Sequence, residues 1–239
     1  MYLSLIIPAY NEEKRLSNTL FEIDKYLREQ NYDYEIIVVN DGSKDKTTEI
    51  VKNLIPKIKN LRLIDNKINR GKGYVVKQGM LEAKGEYRIF TDADNSTPID
   101  QIEKMWSGFK KGYDIVIGSR DIKGAVIANP QSWIRRRLGD AFNLLVQIIL
   151  GLWGIWDTQC GFKGFTKEAA KNIFEKCKVS HFAFDPEILV LGKKLGYKIK
   201  KIPIVWINAP DSKVKVKSII KMAIDLLKIR LNLIIGKYD

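Results

Sequence analysis

Short apolar runs alternate with amphipathic stretches through the first half of the chain, and this alternation limits the possible folds more than any other feature. The five runs each have the length of one strand, and they lie at 3–8, 34–40, 61–64, 87–91 and 114–118. Helix-type periodicity fills the intervening stretches, as from Asn11 to about Glu29, where Leu and Ile recur at spacings of four, three and four. Strands that alternate with helices form βαβ units, so the sequence predicts an α/β fold with a mostly parallel sheet flanked by helices.

The second half adds fewer strand-like segments and more helix. An apolar helix around 142–156 leads into a polar, glycine-rich loop at 157–165. Phe184-Asp185-Pro186-Glu187 leads into a helix that begins at Ile188. The other predicted elements are a short helix, a strand and a final helix, at 167–174, 199–206 and about 215–235.

No internal repeat, low-complexity tract or linker divides the sequence. We therefore expect one domain over residues 1–210, made of two parts at 1–120 and 121–210, and an amphipathic helical extension over 211–239. With 239 residues, 45% of them hydrophobic, the chain is long enough to bury a large core. Its two cysteines lack Cys-x-x-Cys spacing and it has a single histidine, so we expect neither a zinc site nor a disulfide framework.

The chain is strongly basic, with 41 Lys and Arg residues against 28 Asp and Glu and a formal net charge of +13. This balance favours a polyanionic partner: nucleic acid, an anionic membrane surface or a phosphorylated substrate. The N-terminus enters a core-type strand without a basic segment, and no run of about 18 uncharged apolar residues occurs. We expect no signal peptide, no conventional membrane span and a location on the reducing, cytoplasmic side.

Polar residues follow several predicted strands at the point where each strand ends. They are Tyr10 to Glu12 after the first strand, Asp41 to Ser43 after the second, Asp92 to Asp94 after the fourth and Ser119-Arg120 after the fifth. Because ligands of doubly wound sheets bind outside the carboxyl ends of the strands, the sequence predicts a binding site at this edge.

Asp92-Ala93-Asp94 is the most informative of these segments. Two close carboxylates repel each other, and a divalent cation with oxygen ligands, completed by substrate phosphates, relieves the repulsion. The pattern therefore predicts a site for Mg²⁺ or Mn²⁺ and a diphosphate, held chiefly by Asp94 with the help of Asp92. By itself, a polar turn before a helix gives the same three residues, and this alternative remains open.

The order of Pro8-Ala9-Tyr10-Asn11-Glu12, Asp41-Gly42-Ser43 and Asp92-Ala93-Asp94 resembles the nucleotide-sugar half of family 2 glycosyltransferases with the GT-A fold. The second half resembles the dolichyl-phosphate β-glucosyltransferase branch, with polyprenyl-phosphate mannosyltransferases as more distant relatives. The segments that carry this similarity are Asp157-Thr158-Gln159-Cys160-Gly161-Phe162-Lys163, Phe184-Asp185-Pro186-Glu187, Trp206, Ser212-Lys213 and Ile229-Arg230-Leu231. The resemblance covers nearly the whole chain. It makes 1–120 a nucleotide-sugar half and 121–210 an acceptor half.

The resemblance implies an inverting transfer of a hexose from a UDP-sugar, with UDP-glucose as first choice, to dolichyl or another polyprenyl phosphate. The product is a β-linked lipid-phosphate sugar that serves glycan assembly or protein N-glycosylation. GDP-mannose and UDP-N-acetylglucosamine remain open as donors. The implied donor-binding residues are Pro8, Ala9, Tyr10, Glu12, Asp41, Ser43, Lys72, Asp92, Ala93 and Asp94. Glu12 alone also fits a first-turn helix acid, and Lys72 alone also fits a solvated turn lysine.

The acceptor chemistry follows from the phosphate itself. A phosphate monoester has a second pKa of about 6, so it is an anionic nucleophile at neutral pH and needs cationic positioning rather than a strong base. We expect Arg120, Arg135 and Arg136 to bind this phosphate, and Lys213 to close over the substrates. The arginine cluster at 135–137 also fits a solvated face or a headgroup anchor.

Three further polar residues, Asp157, Gln159 and Asp185, are expected to contact sugar hydroxyls, although loop capping would also account for them. The predicted catalytic set is therefore Asp94, Arg120, Arg135, Arg136 and Asp185. The predicted acceptor and sugar set is Arg120, Arg135, Asp157, Gln159 and Lys213.

The final predicted helix is amphipathic, with polar residues recurring from Lys217 to Asn232 and a wide apolar surface between them. This pattern fits a helix lying at the cytoplasmic face of a membrane, with basic residues near the headgroups. A core helix or a dimer helix has the same pattern, and the oligomeric state stays open.

Two other classes of function remain. A transferase acting on a non-lipid saccharide needs a positioned carboxylate base, for which Asp185 is the candidate. A nucleic-acid-binding protein is suggested by the net charge of +13 alone. We expect no nucleic-acid partner, because the aromatic residues are not interleaved with basic residues in a recognisable binding motif.

Overall fold

The computed structural model describes residues 1–129, 133–208 and 216–239. Within the helices that begin at Trp133 and Val216, the side chains of 134–136 and 216–219 lie outside this description. Strands and helices alternate in the first part of the chain, in the order β1 (Leu3–Ala9), α1 (Leu16–Arg28), β2 (Tyr34–Asp41), α2 (Thr47–Leu54), β3 (Leu61–Asn66), α3 (Lys72–Glu82) and β4 (Tyr87–Thr91).

A short 3₁₀ turn (Ile99–Ile102) opens the second part. It is followed by α4 (Glu103–Lys110), β5 (Ile115–Ser119), β6 (Val126–Ala128), α5 (Trp133–Leu150), β7 (Phe162–Thr166), α6 (Lys167–Lys176), α7 (Phe184–Lys194), β8 (Ile199–Pro203), β9 (Val205–Ile207) and α8 (Val216–Ile234).

The main sheet has seven strands in the order β3-β2-β1-β4-β7-β5-β8. β1 pairs in parallel with β2 and β4, and β5 pairs in parallel with β8. In contrast, β7 is antiparallel to both of its neighbours. β6 and β9 form a separate, parallel two-stranded sheet. The predicted mostly parallel α/β sheet is confirmed, and β7 is its exception.

Helices cover both faces of the main sheet. α1, α2 and α4 bury apolar side chains such as Leu20 and Met105 against one face. α3, α5, α6, α7 and α8 bury theirs against the other face, with Phe142 and Leu226 among them. β1 lies between the layers and is buried along its whole length, which is why its sequence is apolar except for Ser4, whose hydroxyl donates to Glu35 at 2.6 Å.

The largest difference from the sequence prediction lies at residues 157–165. We predicted a loop there, but its second half is β7, inserted between β4 and β5. Phe162 is fully buried. A Cβ on Gly164 would lie 3.0 Å from side-chain atoms of Ile89 and Phe109, so the glycine allows α4 to pack closely on β7. The glycines that suggest a loop in the sequence are here a packing requirement.

Three predicted boundaries are also corrected. α1 begins at Leu16 rather than Asn11, because Asn11 has a φ of 52°, outside the helical region. α7 begins at Phe184 rather than Ile188 and holds Pro186 in its first turn, where proline is tolerated. The single predicted strand at 199–206 is divided between β8 and β9, which belong to different sheets.

Candidate active site

The carboxyl ends of β1, β2 and β4 meet at one edge of the sheet and bring the predicted donor residues together. The Asn11 backbone N–H donates to Ser43 Oγ at 2.9 Å, which joins the turns after β1 and β2. Thr19 Oγ1 donates to the Ala93 carbonyl at 2.9 Å, which joins α1 to the turn after β4. Residues from three separate βαβ units therefore line one site.

Asp94 occupies a turn that is fixed from two sides. Its Oδ1 accepts a hydrogen bond from the Ser96 backbone N–H at 3.0 Å. The Ser96 carbonyl in turn accepts from the Ile207 N–H at 2.8 Å, so β9 docks onto this turn. The Asp94 side chain remains 21% exposed, and its Oδ2 lies 3.9 Å from Arg15 Nη1. The turn thus holds a carboxylate that solvent and substrate can reach.

Arg15 is a site residue that the sequence prediction missed. It forms an ion pair with Glu12, with its Nη2 at 3.0 Å from Glu12 Oε1, while it approaches Asp94. The Glu12 backbone N–H donates to Thr47 Oγ1 at 2.7 Å. The three-residue spacing between Glu12 and Arg15 was the available signal, and the two side chains meet across the turn before α1, where the Arg15 backbone N–H donates to the Glu12 carbonyl.

Asp92 joins the two halves of the chain. Its Oδ1 lies 2.5 Å from Lys72 Nζ. A Cβ built on Gly161 would overlap the Asp92 carboxylate, so the loop before β7 packs directly against it. Burial lowers the pKa of Lys72, but the charges of Asp92 and Asp185 outweigh this effect and raise it overall. Lys72 is therefore a charged partner of Asp92 in this structure.

The carboxylates of Asp92 and Asp94 fit a hard divalent cation. Across residues 1–129, 133–208 and 216–239, no group of three or more His, Cys, Asp and Glu side chains is arranged to hold a metal. Mg²⁺ is commonly bound by only one or two carboxylates together with substrate phosphates. The oxygen donors at the end of β4, with Asp94 open to solvent, match that requirement.

Asp41 is 3% exposed and closes the turn before α3. Its two oxygens accept backbone N–H groups from Arg70 at 2.7 Å and Gly71 at 2.9 Å. Burial raises the pKa of Asp41, and these two hydrogen bonds oppose that effect. Each carboxylate oxygen can accept a second hydrogen bond, so the arrangement leaves acceptor capacity for a ligand N–H.

Arg120 and Asp157, both predicted to contact substrate, are paired with each other. Arg120 Nε and Nη2 donate to the two Asp157 oxygens at 2.8 and 2.7 Å, and the Arg120 backbone N–H donates to Oδ2 at 2.9 Å. Burial raises the pKa of Asp157, but the Arg120 charge and hydrogen bonds lower it overall. Arg120 Cζ also lies 5.2 Å from the centre of the Trp206 ring. Asp157 thus orients Arg120.

Lys163 is a second site residue that the prediction did not assign. It is fully buried on β7, where its amine donates to the Cys160 carbonyl at 2.6 Å and forms an ion pair with Asp185. Asp185 is only 4% exposed. Burial raises the pKa of Asp185, although Lys163 and Lys72 act in the opposite direction. The available signal in the sequence was a lysine placed between Phe162 and Gly164. A lysine that is buried in such a segment needs an anionic partner.

Some predicted residues cannot be placed against this geometry. The side chains of Arg135 and Arg136 and the whole of Lys213 lie outside the described residues. Gln159 is half-buried in the loop that also carries Asp157 and Gly161. Cys160 is buried and has a pKa raised to about 12, so it is a protonated thiol rather than a nucleophile.

Carboxylates and cations alternate across this region. The first set is Glu12, Asp92, Asp94, Asp157 and Asp185, and the second is Arg15, Lys72, Arg120 and Lys163. Such an arrangement can bind a cation and a phosphate next to each other, because carboxylates for the cation and basic side chains for the phosphate are already in place.

Comparisons with known proteins identify the family of this chain. The family described as Glycosyl transferase family 2 matches residues 4–174. Dolichyl-phosphate beta-glucosyltransferase ALG5A of Trichomonas vaginalis is 41% identical, over 96% of this chain and 73% of that protein. Dolichyl-phosphate beta-glucosyltransferase of Homo sapiens is 36% identical, over 99% of this chain and 77% of that protein.

Solved structures share the fold at low sequence identity. Glucosyl-3-phosphoglycerate synthase from Mycobacterium tuberculosis, in complex with Mn²⁺, UDP-glucose and phosphoglyceric acid, superimposes with a TM-score of 0.68 at 16% identity, over 97% of this chain and 79% of that one. TarS of S. aureus in complex with UDP-GlcNAc has a TM-score of 0.63 at 18% identity, over 97% and 67% of the two chains. The chain is thus a glycosyltransferase with the GT-A fold, and it belongs to glycosyl transferase family 2.

Proposed function

We propose that this enzyme transfers glucose from UDP-glucose to dolichyl or another polyprenyl phosphate, with inversion at the anomeric carbon. One observation favours an anionic acceptor over a sugar hydroxyl. Asp185, the candidate general base for a hydroxyl acceptor, is buried and paired with Lys163. A phosphate acceptor needs no such base. The dolichyl-phosphate beta-glucosyltransferases, 36% to 41% identical over nearly the whole chain, support the same acceptor and sugar.

The donor lies across the carboxyl ends of β1, β2 and β4. Asp41 accepts a base N–H, and Ser43 and the backbone of Pro8 to Tyr10 position the uridine. Glu12 helps to position the ribose. Asp94, with Asp92 beside it, would hold the Mg²⁺ or Mn²⁺, and a cation bound there would supply charge that neutralises the diphosphate leaving group. The M. tuberculosis neighbour, whose structure contains Mn²⁺ together with UDP-glucose, supports the use of a divalent cation in general.

The acceptor phosphate approaches from the side of Arg120. Asp157 occupies the Nε and Nη2 edge of the guanidinium, which leaves the Nη1 edge for the phosphate. Arg135, Arg136 and Lys213 add positive charge, and Gln159 contacts a sugar hydroxyl. A phosphate oxygen forms a bond to the anomeric carbon while the bond to the diphosphate breaks, so no proton transfer is required. Lys72, paired with Asp92, adds positive charge beside the departing diphosphate.

The enzyme works at the cytoplasmic face of a membrane, where its lipid acceptor resides. Across the described residues, no helix combines the length and the apolar composition needed to cross a bilayer. α8 nevertheless exposes large apolar side chains while its opposite side packs into the core through Met222 and Leu226. The exposed residues on this face, called the α8 face below, are Ile220, Ile224, Leu227, Leu231 and Ile234. An apolar face of this kind on a basic protein fits an interfacial helix.

The assay that tests this proposal combines the protein with polyprenyl phosphate or a free saccharide as acceptor. The donors are UDP-glucose, UDP-N-acetylglucosamine and GDP-mannose, each with Mg²⁺ or Mn²⁺. Mass spectrometry of the lipid fraction is expected to detect a hexosyl polyprenyl phosphate from UDP-glucose. Transfer to the saccharide but not to the lipid would overturn the acceptor assignment. A lipid product from GDP-mannose alone would overturn the sugar assignment.

A further inference from the structure

Strand β9 contacts both the metal-binding turn and the acceptor arginine. The Ile207 N–H donates to the Ser96 carbonyl at 2.8 Å, and the Ser96 N–H donates to Asp94 Oδ1 at 3.0 Å. Two residues earlier, the Val205 N–H donates to Gln101 Oε1 at 3.1 Å. The backbone on both sides of Trp206 is therefore fixed to the segment that follows the Asp92-Ala93-Asp94 turn.

Trp206 lies between these two anchored residues and contacts Arg120 instead. The centre of its ring is 5.2 Å from Arg120 Cζ, within the range of a cation–π interaction. Trp206 pairs with Ile127 of β6 and is half-buried, and its side chain packs against the core cluster on the α1, α2 and α4 side of the main sheet. The anchored backbone and this packing together hold the ring in place.

The guanidinium of Arg120 is thus held in two ways. Asp157 binds the Nε and Nη2 edge within the guanidinium plane, at 2.8 and 2.7 Å, whereas Trp206 contacts the group from a second direction. The Arg120 side chain is still 27% exposed. The two hydrogen bonds to Asp157 fix the guanidinium edge that faces the carboxylate, but the guanidinium can still tilt around that edge. An aromatic contact limits that tilt.

We propose that Trp206 is a positioning residue for the acceptor phosphate, because it holds Arg120 with the Nη1 edge facing that phosphate. This inference rests on the proposed function. It makes β9 the element that sets the distance between the acceptor arginine and the Asp94 turn. Loss of the Trp206 ring therefore weakens binding of the acceptor phosphate and leaves binding of the UDP-sugar donor unaffected.

The test compares Trp206→Leu, Trp206→Phe and the wild type on a short-chain, water-soluble polyprenyl phosphate, so that membrane binding plays no part. KM for the acceptor is expected to rise roughly 3- to 30-fold in Trp206→Leu, and less in Trp206→Phe, which keeps a weaker ring. KM for UDP-glucose and the thermal shift caused by UDP are expected to stay at their wild-type values.

Tyr113→Leu is the matched control, since it removes another ring and cation contact, the one with Lys200 at 5.5 Å, far from the site. It is expected to leave both KM values unchanged. An unchanged acceptor KM in Trp206→Leu, or an equal rise of donor and acceptor KM, would overturn the inference. If Trp206→Leu does not fold, the acceptor KM of Trp206→Phe decides alone. A wild-type enzyme that does not use polyprenyl phosphate would instead refute the proposed function.

Discussion

The donor side and the acceptor side of the site are built in different ways. On the donor side, polar residues directly follow β1, β2 and β4, which are parallel neighbours in the sheet. On the acceptor side, Arg120, Asp157, Lys163 and Asp185 are brought together by an antiparallel strand and by loops. The first arrangement follows from a regular βαβ chain. The second depends on pairing between side chains that local sequence does not reveal.

The two sides also differ in what their charges do. Asp94 keeps a partly exposed carboxylate for a ligand, whereas Asp157 and Asp185 are buried and hold Arg120 and Lys163. We infer that substitutions on the donor side mainly lower turnover. Substitutions on the acceptor side also shift the paired side chains and lower the stability of the fold. The following variants test this difference, in order of decreasing effect on turnover.

Asp94→Ala is expected to have the largest effect. The loss of the carboxylate that neutralises the leaving group lowers kcat by roughly 10³-fold. The free energy of unfolding should fall by only about 0.5–1.5 kcal/mol, because one exposed carboxylate and its hydrogen bond to Ser96 are lost. Steady-state kinetics with Mg²⁺ or Mn²⁺ and urea unfolding measure the two quantities.

Asp33→Ala is the control for this variant, because Asp33 is an exposed acid directly before β2, at the opposite end of this strand from the site. It should retain wild-type turnover. Near wild-type kcat in Asp94→Ala at saturating metal would remove Asp94 from the catalytic set.

Gly161→Ala tests the contact between the two sides. The added methyl group overlaps the Asp92 carboxylate, so either the loop or the carboxylate must move. A displacement of about 1 Å at a reacting centre costs roughly 10²-fold in rate, and we expect a fall in kcat of that size. Gly139→Ala on α5 is the control, since a Cβ there meets no atom of the described residues within 4 Å. Equal turnover of the two variants would show that Asp92 tolerates displacement.

Lys163→Met separates stability from function on the acceptor side. It leaves Asp185 buried without its partner, and the free energy of unfolding should fall by about 3–5 kcal/mol. The double variant Lys163→Met/Asp185→Leu removes both charges, and most of this stability should return. Its kcat should stay about 10-fold below the wild type, because Lys72 and Asp92 no longer have the Asp185 charge beside them. Urea unfolding and steady-state kinetics measure these effects.

Full recovery of kcat in the double variant would mean that the buried pair serves the fold alone. Unfolding free energies that are equal for the single variant and the wild type would contradict the buried pairing itself.

The sequence was most informative where one local rule determines the structure. The apolar runs gave β1 to β5 within a few residues, and the carboxyl-edge rule grouped Asp41 with the Asp92-Ala93-Asp94 turn. The prediction failed at β7, because Gly164 in this strand and Gly161 in the loop before it are typical of a loop when the opposing Ile89 and Asp92 are unknown. Close packing depends on two residues that meet in space, and the sequence around a glycine does not reveal which residue packs against it.

The same limit explains the acceptor residues. Arg120 and Asp157 were both expected to contact substrate, since Arg120 follows a predicted strand and Asp157 begins the polar, glycine-rich segment at 157–165. Their separation of 37 positions carries no periodicity that would pair them. Trp206 was recognised only as part of a motif, because its contact with Arg120 depends on β9 leaving the main sheet.

The α8 face provides the smallest expected effect on the chemistry. Ile224 and Leu227 are 48% and 60% exposed, and each contributes about 1.5–3 kcal/mol when fully buried in an apolar phase. The double variant Ile224→Lys/Leu227→Lys should lower the affinity for anionic vesicles, measured by flotation, by at least about 10²-fold. Its kcat on a short-chain acceptor should stay within about twofold of the wild-type value. Ile55→Lys, an exposed apolar position at the end of α2, is the control. Unchanged flotation would show that the α8 face does not carry the membrane binding. A parallel loss of kcat on the short-chain acceptor would mean that α8 supports the site through the core, because its Met222 and Leu226 pack there.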